Sequence, residues 1–140
     1  SGSSLMADEM NFDLVSPEKS IASFMAKEVQ LPGSEGDMTA MPNHAPILTT
    51  LRPGILSVSG VDGTTEYVVT GGFAEVKPDG VTVLAAQATN KSSFTQEDMD
   101  SLVGDVKALL DLSDETTKDS VNKTYSDALV LAGTLGLSVV

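Results

Sequence analysis

The sequence contains no cysteine and no tryptophan, and only one histidine and one arginine among its 140 residues. Without cysteine, the chain cannot build disulfides, thiolate metal sites or a cysteine nucleophile. Its 20 acidic and 8 basic side chains give a net charge of -12, which repels phosphate backbones, and Arg52 alone offers a bidentate phosphate contact. Nucleic-acid binding is therefore not expected.

Long apolar runs are also missing. The uncharged C-terminal stretch Ala128–Val140 is far shorter than the roughly 20 apolar residues of a membrane-spanning helix, so no transmembrane segment is predicted. Apolar residues nevertheless make up 41% of the chain, which is enough to close a hydrophobic core. The sequence predicts a folded chain.

Recognisable catalytic, cofactor and metal motifs are absent. His44, the single imidazole, lies between two prolines, where a structural or contact role is favoured over catalysis. The segment Gly33–Gly36 lacks the spacing of a nucleophile elbow, and Gly71–Gly72 lacks that of a phosphate loop. We predict no catalytic residues, no cofactor and no metal.

Short strands broken by turn residues occupy the first two thirds of the chain. Asp62-Gly63 separates two β-forming runs, and Lys77–Gly80 joins Phe73–Val76 to Val81–Leu84, so both stretches predict hairpins. Frequent turns at this spacing favour a β-sandwich or barrel. Leu31–Pro53 is rich in proline, and its residues 33–37 are predicted to form an exposed loop.

Two helices are predicted after Ala88. Thr95 is predicted to cap the first helix, whose apolar face consists of Met99, Leu102, Val106 and Leu109. Ser113 is predicted to cap the second helix, whose apolar face consists of Val121, Tyr125, Ala128, Ala132 and Leu135. A short polar turn between them predicts an antiparallel hairpin. Core filling is favoured for Met25 and Met99, and exposure to a partner for Met38 and Met41.

The predicted domains follow from this change from a strand pattern to a helix pattern. Residues 1–5 have the small, uncharged look of a leftover expression linker, so the natural start is placed at Met6. Residues 6–91 form the β-domain and residues 92–140 the helix-turn-helix domain.

The order of several motifs resembles that of a known family. Leu31–Gly54, with its Pro-Asn-His-Ala-Pro run at 42–46, followed by Gly71–Val76 and Val81–Ala85, is similar to the epsilon subunit of F-type ATP synthases and to the mitochondrial delta subunit. The resemblance covers about residues 10–88. It implies a mainly β, α+β fold: an N-terminal sandwich of two five-stranded antiparallel sheets followed by a C-terminal antiparallel helical hairpin.

The resemblance also implies a function. It predicts a non-catalytic subunit of the central rotor, which links the gamma subunit to the membrane ring of c subunits and couples proton translocation to ATP synthesis. By position it implies that Gly33, Ser34, Glu35, Gly36, Asp37 and Met38 meet the c-ring, with Asn43 and His44 near the same junction. Because no transit segment precedes Met6, the expected location is the cytoplasmic face of the bacterial inner membrane, as a peripheral part of the complex.

The C-terminal hairpin departs from many bacterial relatives, which use basic residues there to block ATP hydrolysis. Residues 92–140 carry nine carboxylates and only Lys107, Lys118 and Lys123. Inhibition is therefore expected to be weak or absent. Two alternatives remain open: a hairpin that does inhibit hydrolysis by contacting the catalytic beta subunits, and a β-sandwich enzyme that binds a small molecule near His44.

Overall fold

The computed structural model describes residues 9–139. Residues 1–5, interpreted above as linker, and Met6 lie outside this range. Backbone contacts divide the chain into two compact units, with the boundary between Lys91 and Ser92.

The first unit is built from ten strands within the described residues. They are β1 (Met10–Val15), β2 (Ser20–Ala26), β3 (Glu28–Gly33), β4 (Gly36–Ala40), β5 (Ile47–Leu51), β6 (Gly54–Gly60), β7 (Gly63–Val69), β8 (Gly72–Lys77), β9 (Gly80–Ala85) and β10 (Ala88–Asn90). A turn of 3-10 helix, Lys91–Ser93, follows.

These strands form two five-stranded layers. Sheet 1 has the order β10-β7-β6-β3-β4 and sheet 2 the order β5-β8-β9-β1-β2. Among residues 9–139, the register pair of Gly33 with Leu51 joins the two layers into one continuous ten-stranded sheet. The predicted fold class, a β-sandwich followed by a helical hairpin, is confirmed. One pairing differs from a purely antiparallel sandwich, since β1 and β9 run parallel. These strands are distant in sequence, so no local turn signal reports their pairing.

The core lies between the two sheets and follows the two-residue period of the strands. Phe12 at its centre is fully buried; its ring makes an edge-to-face contact with Phe24 at 5.4 Å between centroids and stacks on Tyr67 at 6.5 Å. Burial raises the pKa of the Tyr67 hydroxyl. Met25 was predicted to fill the core, but this was wrong: it is 46% exposed, because it pairs with Asn11 on the outer face.

The second unit consists of α1 (Gln96–Leu112) and α2 (Lys118–Leu135), which pack against each other. The predicted cap of α1 is confirmed as a capping box, in which the Asp98 amide donates to Thr95 Oγ1 at 3.2 Å and the Thr95 amide donates to Asp98 Oδ2 at 2.9 Å. Met99, Leu102 and Val106 are buried as predicted, whereas Leu109 is exposed, one turn before the helix ends.

The start of α2 was predicted at the wrong residue. Ser113 caps the C-terminus of α1, its hydroxyl donating to the Leu110 carbonyl, and α2 begins only after Thr117. The Asp114 carboxylate accepts from the backbone amides of Thr117 and Thr116, which holds residues 114–117 in a turn and lowers the pKa of that carboxyl. This side-chain competition for backbone donors delays the helix.

Candidate functional site

The predicted contact residues 33–38 do not form a loop but the tip of a hairpin. We call Gly33–Asp37 the β3–β4 turn, since Gly33 pairs with Gly36 across a two-residue connection. Gly36 has a φ of 138°, which favours glycine. A Cβ atom at Gly33 would lie 2.5 Å from the Gly36 carbonyl oxygen, so glycine is required there by close approach rather than by φ. The tip is thus a tight, defined shape.

Arg52 ties this turn to sheet 2. Its Nη1 donates to the Gly33 carbonyl at 2.6 Å, and its Nη2 forms an ion pair with Asp37 Oδ1. The Arg52 backbone amide also donates to the Pro32 carbonyl at 2.9 Å. One residue therefore binds both arms of the hairpin.

A second set of bonds fixes the outer side of the turn. The Ser34 amide donates to the Thr50 carbonyl at 2.9 Å, and the two hydroxyl groups of these residues are also hydrogen-bonded. Ser34 is consequently a support of the turn as well as a surface residue.

The side chains of the turn differ in availability. Glu35 is exposed, and its carboxylate has no hydrogen bond or ion pair within residues 9–139. Asp37 is exposed but already paired with Arg52. Met38, the residue after the turn, is half-buried and packs against the core, so it offers a partner only part of its surface. Glu35 is the freest charged group of the turn.

Asn43 and His44 lie elsewhere. Asn43, in the left-handed region with φ of 70°, donates its amide to the Pro78 carbonyl at 2.8 Å, and His44 Nδ1 donates to the Ala45 carbonyl at 2.7 Å. They precede β5, whereas the β3–β4 turn contacts the other end of that strand, about 13 Å away at about 3.3 Å per residue. The structure does not bring these two predicted groups together.

An exposed row of side chains crosses the outer face of sheet 2, and the sequence interpretation missed it. Thr50, Phe73, Leu84 and Val15 are successive register partners on β5, β8, β9 and β1, and Phe73 and Leu84 are 52% and 53% exposed. We call them the outer row. Its signal in the sequence is that β8 and β9 carry large apolar residues at positions facing away from the core.

A groove lies at the other end of the same sheet. It has a volume of about 760 Å³ and is lined by residues 46–48 and 75–79, with Leu48 strongly exposed. His44 does not line it. The enzyme alternative thus loses the residue on which it depended.

Within residues 9–139, neither α1 nor α2 combines the length and the apolar character that spanning a bilayer requires. No group of three or more acidic or histidine side chains within that range is arranged to hold a metal ion.

Comparison with known proteins identifies the chain's relatives. Residues 9–91 match the family model described as the ATP synthase delta/epsilon chain, beta-sandwich domain. An ATP synthase epsilon chain of Ruegeria sp. (strain TM1040) is 53% identical over 81% of this chain and 83% of its own length, and that of Rhodobacter capsulatus is 46% identical over 94% and 100%.

Solved structures agree at the level of the fold. A chain of the Euglena gracilis mitochondrial ATP synthase, from a structure of its OSCP, F1 and c-ring, superposes with a TM-score of 0.68 at 21% identity, covering 91% of this chain and 82% of that one. The resemblance noted from the sequence is confirmed. The chain belongs to the ATP synthase delta/epsilon family, whose members are non-catalytic subunits of the synthase stalk.

Proposed function

We propose that this chain is a coupling subunit of the central stalk that holds the gamma subunit on the c-ring while the rotor turns. The observation that carries the proposal is that one sandwich bears two separate surfaces of different chemistry: the β3–β4 turn at one end and the outer row on one face. The names of its relatives, and the c-ring in the Euglena structure, support this assignment.

The β3–β4 turn is proposed as the surface that meets the c-ring. A part that transmits torque has to keep its shape under load, and this turn is held by backbone pairing, Arg52 and Ser34. Surface ion pairs contribute only about 0–1 kcal/mol each, so the shape of the turn matters more than its charge. Asn43 and His44, at the other end of β5, are left out of this contact.

The outer row is proposed as the surface that meets gamma. Phe73 and Leu84 present aromatic and aliphatic side chains from adjacent strands, and no charged residue interrupts the row between Thr50 and Val15. Permanent subunit interfaces are more apolar than the rest of a protein surface. Covering this row with gamma would remove exposed hydrophobic area from water and stabilise the stalk.

The helical hairpin is proposed to inhibit ATP hydrolysis weakly or not at all, with at most a minor contact to the catalytic beta subunits. Its charge supports this view, since the nine carboxylates of residues 92–140 would repel an acidic partner. The proposed location is peripheral, on the cytoplasmic face of a bacterial inner membrane. The bacterial sources of its relatives support that location.

Reconstitution tests the proposal directly. Cognate ATP synthase stripped of its epsilon subunit is placed in vesicles and supplied with the full chain, while ATP-driven proton pumping and ATP hydrolysis are followed together. We expect pumping to be restored at nearly unchanged hydrolysis. Failure of the chain to bind would refute the assignment.

A second measurement addresses the hairpin alone. The same enzyme is supplied with a chain that ends at Lys91, which retains the whole sandwich core and the region matched by the family model. Equal hydrolysis with the two chains is expected. A clear rise on truncation would show that the hairpin inhibits.

A further inference from the structure

We propose that Arg52 is the positioning residue of the β3–β4 turn. Because Arg52 is ion-paired with Asp37, Glu35 is the carboxylate of the turn that is left to contact a basic side chain of the partner. This inference rests on the proposed function of the turn. It concerns which side chains of the turn shape it and which one meets the ring.

The geometry of the guanidinium supports the first half. The Gly33 carbonyl and the Asp37 carboxylate belong to opposite arms of the hairpin, and Arg52 reaches both from β5's C-terminal end with two different nitrogens. Arginine can do this because its donors are held in a planar fork, whereas a lysine presents one nitrogen. Only 26% of the Arg52 side chain is exposed, so water competes little for these bonds.

The distribution of charge supports the second half. The turn carries two carboxylates, of which Asp37 is already neutralised by Arg52. Glu35 lies at the tip, between the two paired strands, and has no partner within the described residues. A cation approaching the tip therefore meets one uncompensated negative charge, and that charge is at Glu35.

The experiment measures how tightly variants of the full chain bind the epsilon-depleted enzyme, together with protons pumped per ATP hydrolysed. The substitution Arg52→Gln removes the bonds to both arms of the hairpin, so a smaller fraction of molecules has the turn in its binding conformation. We therefore expect about tenfold weaker binding and fewer protons pumped per ATP hydrolysed. Arg52→Lys keeps the positive charge but can keep at most one of the two contacts. It is therefore expected to lose less binding and less pumping than Arg52→Gln. A double variant, Arg52→Gln with Asp37→Asn, is expected to bind like Arg52→Gln alone at high salt, where the charge left on Asp37 by the first change is screened and both changes break one linkage.

Glu35→Gln separates charge from shape. It is expected to weaken binding about two- to fivefold at low salt, with the difference from the unmodified chain vanishing at high salt. Lys123→Gln is the matched control, because it removes an ion pair to Asp127 in the other unit, and it is expected to leave binding and pumping unchanged. Circular dichroism at the assay temperature establishes that each variant is folded.

The possible failures are distinguishable. If the unmodified chain does not bind, the proposed function itself fails. If it binds and restores pumping, but folded Arg52→Gln does so equally well, the positioning role is overturned while the proposed function stands. If Asp37→Asn shows the salt-dependent loss and Glu35→Gln shows none, the assignment of the free carboxylate is overturned.

Discussion

Replacing Gly33 by alanine tests whether close approach defines the β3–β4 turn. The φ of Gly33 is not in the left-handed region, so the added methyl group would strain no backbone dihedral. It would instead lie 2.5 Å from the Gly36 carbonyl oxygen, about 1 Å inside an ordinary contact. The backbone of Gly33, which would carry the methyl group, and that of Gly36 are paired with each other and cannot move aside as a flexible side chain can.

The loss of stability in Gly33→Ala follows from the backbone groups that the methyl group forces apart. Overpacking of this kind costs about 1–3 kcal/mol, and displacing the Gly33 carbonyl weakens the charge-assisted hydrogen bond from Arg52 by about 1 kcal/mol more. We therefore expect a loss of about 2–4 kcal/mol in the free energy of unfolding of the sandwich. For a unit of this size, the midpoint of thermal unfolding falls by roughly 10 to 20 °C.

Thermal unfolding of the isolated chain, followed by circular dichroism at the β-sheet minimum, measures this shift. Gly104→Ala is the matched control, because Gly104 is exposed in α1 with nothing within 4 Å of an added Cβ. It should stabilise the helix by about 0.5–1 kcal/mol. A Gly33→Ala chain that melts within about 3 °C of the unmodified one would refute the close-approach argument.

Three further changes probe the core and the helical unit. Phe12→Ala should lower the free energy of unfolding, measured with denaturant, by about 3–5 kcal/mol. Met25→Ala, on the outer face, should change it by no more than about 0.5 kcal/mol. Similar losses in the two variants would contradict the assigned core. Thr95→Ala removes half of a capping box and should destabilise the hairpin by about 1 kcal/mol, measured by helical circular dichroism. The control Thr134→Ala lies inside α2, removes no cap and should not lower helix stability. The pKa of the Asp114 carboxyl is lowered below its ordinary 3.8, so the stability that its charged form contributes is complete above that pH and is lost as the pH falls through the pKa of the folded state. Asp114→Asn should therefore make helix content depend less on pH in the acid range. An unchanged dependence on pH would contradict this.

Much of the fold is encoded locally and could be predicted. The turn between β6 and β7, the turn between β8 and β9, and the Thr95 cap each depend on residues within a few positions of one another. Sequence interpretation failed where a choice between local bonds decided the outcome. Asp114 satisfies backbone amides in a turn, and α2 starts only at Lys118 as a result.

Long-range pairing was the other source of error. Met25 lies on a strand whose two faces are not distinguished by its own apolar residues, and its orientation is set by pairing with β1. The separation of His44 from the β3–β4 turn likewise depends on which end of β5 each one adjoins. The exposed outer row is seen only when four strands are placed in register.

The two proposed contact surfaces are joined by one strand, which gives the sandwich a direct path for force. Thr50 belongs to the outer row through its pairing with Phe73, and it also bonds Ser34 of the β3–β4 turn through both its carbonyl and its hydroxyl group. Arg52, two residues further along the chain, binds the other side of that turn. A lateral load on the turn is therefore transmitted to the row through hydrogen bonds and backbone, with no flexible loop in between. In the proposed rotor role, a subunit built in this way would lose little rotation to its own deformation, because close-packed interiors have low compressibility.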